Sequence, residues 1–117
     1  MTQTADTLLE VLIYKISPGK REAFHQALQH SALPRMERAG LTLVGFGPSR
    51  HDQDSYYLLR AYPSMEYHAQ TLGRHYQDLG WLEQHHPELS PMVETCSVVV
   101  VPCEPEGIEK LKHTIYY

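Results

Sequence analysis

Two charged residues lie inside stretches of the sequence that are otherwise apolar. Glu10 is the single acid in the segment LLEVLIYKI, and Arg60 interrupts the segment YYLLRAY. A carboxyl group held among apolar side chains is a candidate general acid or base. A guanidinium group that faces a cavity suits a carboxylate or enolate ligand, which it binds through two hydrogen bonds. The alternative for both residues is structural: each serves as the internal partner of the other, or lies at a solvated sheet edge.

Tyr14 shares a face with Glu10, because alternate residues of a strand point to the same side of a sheet. The opposite set, Leu9, Val11 and Ile13, is continuously apolar and is predicted to face the helices. Glu10 and Tyr14 are therefore predicted to face the interior of a cavity on the other side, where Glu10 would be the principal acid or base.

His75 is a third candidate for acid–base chemistry. It borders an apolar helical stripe formed by Leu72, Tyr76 and Leu79, and histidine is the commonest general base. The alternative is a half-buried histidine that donates a hydrogen bond to a backbone carbonyl. Three aromatic side chains are candidates either for the wall of a substrate pocket or for ordinary core positions: Phe46, Tyr57 and Trp81.

The sequence contains no pattern for a metal or a nucleotide cofactor, and we expect neither. His25 and His30 are five residues apart, off the same helical face, and His68 and His75 would lie about 10.5 Å apart along a helix, too far for one tetrahedral ion. The segment Gly45-Phe46-Gly47 lacks the later glycine of a dinucleotide-binding loop, and no Gly-x-Ser-x-Gly motif occurs.

Composition and charge argue against several partners. The 117 residues carry a net charge of −4 without a basic, aromatic-rich cluster, so we expect no nucleic acid. The longest apolar run, Val98 to Val101, is too short to cross a bilayer, and the first six residues lack the features of a signal peptide. Cys96 and Cys103 are expected to be free thiols, since joining them needs a sharp chain reversal. We expect one cytoplasmic domain.

Strands and helices alternate along the chain and must position these candidates. Four segments rich in β-branched and aromatic residues are predicted strands: Leu8 to Ile16, Leu41 to Gly47, Tyr56 to Tyr62 and Val93 to Val101. A helix is predicted from Lys20 to about His30, with an interruption before Pro34 and a short second piece that ends at Gly40. Another helix is predicted after Ser64, where apolar residues recur at helical spacing: Met65, Ala69, Leu72, Tyr76, Leu79 and Leu82.

The resulting order βαββαβ is the α+β arrangement of a ferredoxin-like fold with both helices on one face of the sheet. The other face would expose Leu, Val, Tyr and Phe, so a second copy of the chain is its expected cover. Residues 1–7 are predicted to be an N-terminal tail and residues 8–101 the domain. Residues 102–117 form a C-terminal extension, in which Ile108, Leu111 and Ile115 have the spacing of a short helix.

The order and spacing of several short motifs resemble the NIPSNAP family of dimeric α+β barrel proteins over about residues 8 to 101. The matching residues are Glu10-Val11-Leu12-Ile13-Tyr14, Pro18-Gly19-Lys20, Phe24, Leu33-Pro34, Arg38-Ala39-Gly40, Val44-Gly45-Phe46, Tyr62-Pro63-Ser64 and Trp81. The resemblance implies two ferredoxin-like subunits whose sheets close into a barrel. Leu12 replaces an arginine that the family pattern commonly has between the Glu and the Tyr, and Arg60 is the candidate substitute.

Two functions follow as expectations. The first is a cofactor-independent enzyme, of isomerase, cyclase or oxygenase type, that acts on a small organic molecule through Glu10, Tyr14, Arg60 and His75. The second is a non-catalytic homodimeric module that binds a hydrophobic metabolite or serves in assembly, in which Glu10 is a structural acid. The two differ in whether convergent polar groups line the cavity.

Overall fold

The computed structural model of this chain describes residues 7–67 and 86–114. Its centre is a four-stranded antiparallel sheet made of β1 (Leu8–Ile16), β2 (Thr42–Pro48), β3 (Ser55–Tyr62) and β4 (Val93–Pro102). The strands lie in the order β2-β3-β1-β4. All four predicted strands are present, and no end differs from its prediction by more than one residue. The ferredoxin-like prediction is thereby confirmed, and β1 and β3 are the central strands.

One continuous helical segment connects β1 to β2. It consists of α1 (Arg21–Ala27), a π-helical stretch (Leu28–Ala32) and α2 (Leu33–Arg38). The predicted interruption before Pro34 is wrong. Pro34 lies in the first turn of α2, where its missing N–H is tolerated, and the wider π-helical turn before it carries the chain onward in right-handed geometry. Gly40 ends the segment as predicted, with a φ of 90° that favours glycine.

The segment after β3 begins as predicted. Residues 65–67 are helical, and the Ser64 hydroxyl accepts a hydrogen bond from the Tyr67 N–H at 3.1 Å, which is an N-cap contact. The rest of this predicted helix, residues 68–85 with His75 and Trp81, lies outside the described residues. A 3₁₀ turn (Ser90–Met92) leads into β4, and α3 (Pro105–Thr114) follows it.

Each face of the sheet carries its own apolar core. Between the sheet and the α1–α2 segment, side chains of β1 pack against the helical layer in a cluster that includes Leu12, Tyr14, Ile16, Phe24, Leu28 and Met36. On the opposite face, which we call the outer face, Ile108 of α3 packs with Leu9, Val44, Leu59 and Ala61. The register of β2 shifts between Leu43 and Gly45, and this irregularity coincides with the place where Val44 joins the outer core.

The predicted orientation of β1 is therefore wrong: Glu10 and Tyr14 face the α1–α2 layer, and Leu9 and Val11 face away from it. Alternation determines which residues share a face, but both sets of β1 are largely apolar, so it does not determine which face the helices cover. The charge of Glu10 does not force it toward a solvated cavity either, since an arginine neutralises it inside the protein.

Among the described residues, α3 covers one part of the outer face. Ile108 is 4% exposed beneath α3, whereas Ile13 and Val99 are 46% and 54% exposed. The extension thus forms the predicted short helix, and it covers part of the face that was expected to be bare. In the described ranges, no helix has the length and apolar character needed to cross a bilayer.

Candidate functional site

A buried ion pair lies between the sheet and the helical layer. Glu10 and Arg60 are register partners on β1 and β3, with 0% and 1% of their surfaces exposed. The Arg60 Nε donates a hydrogen bond to Glu10 Oε1 at 2.7 Å, and the Tyr62 hydroxyl donates to the same oxygen at 3.2 Å. Arg60 Nη1 also lies 3.6 Å from the sulfur of Met36 in α2. The sequence left two interpretations of Glu10 open, and the internal pair with Arg60 is present.

The electrostatics of Arg60 depend on this contact. Burial is the largest single influence and opposes the guanidinium charge, but attraction to Glu10, the hydrogen bond to it, and the neighbouring Tyr62 and Tyr14 together outweigh burial, so the pKa of Arg60 is raised above its ordinary value. Arg60 is therefore a cation held in the protein interior against the Glu10 side chain. Removing one member of the pair would leave the other as a buried charge that has lost this partner.

Tyr14 lies two residues beyond Leu12 on the same face and reaches the neighbourhood of the ion pair. It is 2% exposed, and its ring packs against Phe24 with centroids 5.3 Å apart. Its hydroxyl forms no hydrogen bond with any described residue. Every fully enclosed polar side-chain atom in the described ranges has a partner, so the Tyr14 hydroxyl is not completely sealed. It is a buried polar group with spare hydrogen-bonding capacity.

The protonation of Tyr14 follows from its surroundings. Burial raises the pKa of the phenol well above its usual range; nearby Arg60 lowers it in part, while Cys96 and Glu10 add to the increase. The phenol is therefore a hydrogen-bond donor at neutral pH and not a base. Such a donor can stabilise negative charge that develops on the oxygen of a bound molecule.

Cys96 is the register partner of Tyr14 on β4, on the same face of the sheet. Burial raises the pKa of its thiol to about 11, with Arg60 opposing the shift and Glu10 adding to it. The thiolate is the nucleophilic form of cysteine, so Cys96 stays an unreactive thiol at neutral pH. Both cysteines are free.

A second polar contact, which the sequence analysis missed, joins His25 of α1 to Tyr56 of β3. The His25 Nδ1 lies 2.5 Å from the Tyr56 hydroxyl, and both residues are buried. The His25 ring also lies beside Phe46, with centroids 6.3 Å apart. A signal was available, because His25 precedes Leu28 by three residues and Ala32 by seven, the spacing of one helical face. Spacing for a metal site relates His25 to His30 alone and gives no sign of this contact.

The structure thus brings some of the predicted residues together and separates others. Glu10, Tyr14 and Arg60 lie on the helix-facing side of the sheet, and Phe46 belongs to the same core. Tyr57 packs on the outer face with the Ile108 cluster, away from that group. In the ranges 7–67 and 86–114, no three His, Cys, Asp or Glu side chains gather closely enough to hold a metal ion.

Strand order, antiparallel pairing and a helical layer over the buried ion pair define an α+β protein of the ferredoxin-like class. The NIPSNAP family model matches residues 9–104, most of the chain, and the chain belongs to that family. The resemblance seen in the sequence is confirmed. No curated protein sequence matches the chain.

Several solved structures share the fold. A NIPSNAP family protein from Agrobacterium tumefaciens strain C58 has a TM-score of 0.69 at 18% identity, over 85% of this chain and 94% of that one. A NIPSNAP domain protein from Burkholderia xenovorans has a TM-score of 0.68 at 22% identity, over 84% and 95%. A candidate antibiotic biosynthesis monooxygenase from Nitrosomonas europaea has a TM-score of 0.63 at 17% identity, over 88% and 95%. At these identities the likeness shows the fold alone.

Proposed function

We propose that this chain is the subunit of a homodimeric, cofactor-independent enzyme that acts on a small organic molecule by acid–base chemistry. The reaction site lies between the sheet and the α1–α2 layer, beside Tyr14. One observation carries the proposal: the Tyr14 hydroxyl is buried next to a neutralised ion pair, yet has no hydrogen-bond partner among the described residues. Because this hydroxyl is not completely sealed and has spare hydrogen-bonding capacity, a bound molecule with an acceptor atom is a suitable partner for it.

Each residue of the cluster has a distinct role in this proposal. Tyr14 donates a hydrogen bond to an oxygen on which negative charge develops, as in enolate formation. Arg60 is held near Tyr14 by its hydrogen bond to Glu10 Oε1, an oxygen that also accepts a hydrogen bond from the Tyr62 hydroxyl. The sequence predicts Glu10 or His75 as the group that moves the proton; of these, Glu10 lies in the described cluster, engaged with Arg60.

The homodimer in this proposal is supported by the open part of the outer face. Ile13 and Val99 belong to neighbouring strands and leave large apolar side chains half-exposed. A second subunit that covers this area would remove it from water. Light scattering at micromolar concentration is expected to give the dimer mass, and a monomer mass would contradict this part of the proposal.

Proton exchange tests the catalytic part without a known substrate. We expect the wild-type protein to accelerate deuterium incorporation into at least one member of a panel of small enolisable ketones and phenols in D₂O, followed by NMR. Tyr14→Phe removes only the hydroxyl oxygen, and should fold normally while losing about 10²-fold in exchange rate, the scale of one oxyanion donor. Tyr67→Phe, at an exposed position with a 3.4 Å contact to the Gly40 carbonyl, is the matched control. Equal rates for wild type and Tyr14→Phe would contradict the proposal.

A non-catalytic binding module is the second candidate, and the ion pair itself favours it. Arg60 and Tyr62 already satisfy Glu10 Oε1, which is the behaviour of a structural acid. This candidate predicts that members of the panel raise the melting temperature of the wild-type protein, and that they raise the melting temperature of Tyr14→Phe by less. It also predicts that no compound shows deuterium exchange above background.

A further inference from the structure

We infer that the molecule bound beside Tyr14 is uncharged and presents a hydrogen-bond-accepting oxygen, as a ketone, ester or quinone does, and that carboxylates and phosphates are excluded. This inference rests on the proposed function and specifies its substrate class. It departs from the expectation drawn from the sequence, in which Arg60 would bind a carboxylate or an enolate.

The charge balance of the cluster supports it. Glu10 and Arg60 neutralise each other at 2.7 Å, with 0% and 1% exposure. The other ionisable groups that interact with them in the described ranges are Tyr14, Tyr62 and Cys96, and burial raises the pKa of each. All three are uncharged at neutral pH, so the described residues of this cluster have no net charge to offer an anion.

An anionic ligand would have to compete with Glu10 for Arg60. If it succeeded, two negative groups would share one cation in a buried place, and one of them would be left poorly compensated. Such a charge is far more costly to bury than a neutral carbonyl group. A neutral ligand avoids this cost and leaves the ion pair intact.

The remaining surroundings favour an apolar body with one polar atom. The core that contains Tyr14 also contains Leu12, Phe24, Met36 and Leu58, all buried. Among the described residues, the Tyr14 hydroxyl is a donor that no other side chain engages, whereas the Tyr62 hydroxyl is directed to Glu10. A ligand without an acceptor would leave the Tyr14 hydroxyl without a partner among those residues, as it is now.

Three benzene derivatives of nearly equal size test this class. Acetophenone has a neutral acceptor, benzoate is an anion, and ethylbenzene has no acceptor. Dissociation constants are measured by ligand-observed NMR at neutral pH against wild type, Tyr14→Phe and the control Tyr67→Phe. We expect acetophenone to bind best, ethylbenzene about 5-fold more weakly, the worth of roughly one hydrogen bond, and benzoate at least about 10-fold more weakly because of charge burial. In Tyr14→Phe, acetophenone should fall to the level of ethylbenzene, with no change in Tyr67→Phe.

The outcomes separate this inference from the function on which it rests. Benzoate as the tightest ligand, weakened by Tyr14→Phe, would overturn the inference and leave the proposed site standing. Acetophenone binding that is equal in wild type and Tyr14→Phe would overturn the inference and count against the site as well. Absence of acetophenone binding up to its solubility limit would also overturn the inference, whereas the deuterium-exchange panel still decides the function.

Discussion

Replacing Glu10 by Gln is the most informative single change in this protein. The amide keeps the shape of the side chain and an oxygen near Arg60 Nε, but it removes the negative charge that lies 2.7 Å from the guanidinium. Arg60 keeps its proton without Glu10, because the ordinary pKa of a guanidinium group lies far above neutral pH. The variant must therefore bury a cation that has lost this anion.

The size of the effect follows from that burial. Both partners are at most 1% exposed, so solvent does little to screen the loss. Removing one member of a buried pair typically destabilises by about 3–5 kcal/mol. For a chain of 117 residues this corresponds to a melting temperature roughly 10–20 °C lower. Replacing both partners by apolar residues, as in Glu10→Leu with Arg60→Met, should recover most of the loss.

Urea denaturation followed by circular dichroism, at one fixed protein concentration, measures these differences. Glu94→Gln, an exposed acid on β4, is the matched control and should stay within about 0.5 kcal/mol of wild type. The reasoning is refuted if Glu10→Gln is as stable as the control, or if the double variant is no more stable than the worse of its single variants. A stable Glu10→Gln that loses deuterium exchange would instead identify Glu10 as the catalytic acid or base.

Three further outcomes are expected. In a Cys103→Ser background, alkylation of Cys96 by iodoacetamide at pH 8 should be about 100-fold slower than alkylation of an unburied thiol. The reason is that a pKa of about 11 instead of 9.0 leaves little thiolate. A rate near that of a free thiol would contradict the burial of Cys96. Two local hydrogen bonds, from the Asp54 N–H and the Ser55 hydroxyl, lower the pKa of Asp52 below 3.8. The contribution of the ionised Asp52 to folding stability is thus fully present above about pH 4 and is lost as pH falls through its folded-state pKa. The difference in stability between wild type and Asp52→Asn should therefore disappear in acid. A difference that does not depend on pH would show that the charge is not the cause. Ile108→Ala should cost about 2–4 kcal/mol in urea denaturation if α3 packs on the sheet as described, and a loss below about 1 kcal/mol would show that it does not.

The sequence predicted the strands and their order well because each strand is a compact run of β-branched and aromatic residues between turn residues. It did not predict which face of β1 meets the helices. The two faces of β1 are similarly apolar: one carries Glu10, Leu12 and Tyr14, and the other carries Leu9, Val11 and Ile13. The sequence of a single strand also does not show that Arg60 of β3 lies opposite Glu10. The π-helical turn before Pro34 was also missed, since proline rules describe α-helices and not the wider turn that accommodates it.

Of the candidate site, the sequence identified the unusual charges but not the relation between them. A charge inside an apolar strand indicates either chemistry or an internal partner, and only the cross-strand register decides which. The contact between His25 and Tyr56 depends on the packing of α1 over β3, a relation between segments 31 residues apart. The spacing of His25 from Leu28 and Ala32 could have indicated that His25 is buried, but not which residue it contacts.

The Glu10–Arg60 pair also specifies the sheet. Because both faces of β1 are apolar, shifting β1 by one residue against β3 would exchange two hydrophobic sets at little cost in burial. The same shift would carry Glu10 to the outer face, among Val44, Leu59 and Ala61, and would leave Arg60 without this carboxylate beneath α2. The ion pair penalises that alternative register far more than apolar packing alone would. It thereby fixes the face on which the Tyr14 hydroxyl lies, so the residue that secures the register also secures the donor on which the proposed chemistry depends.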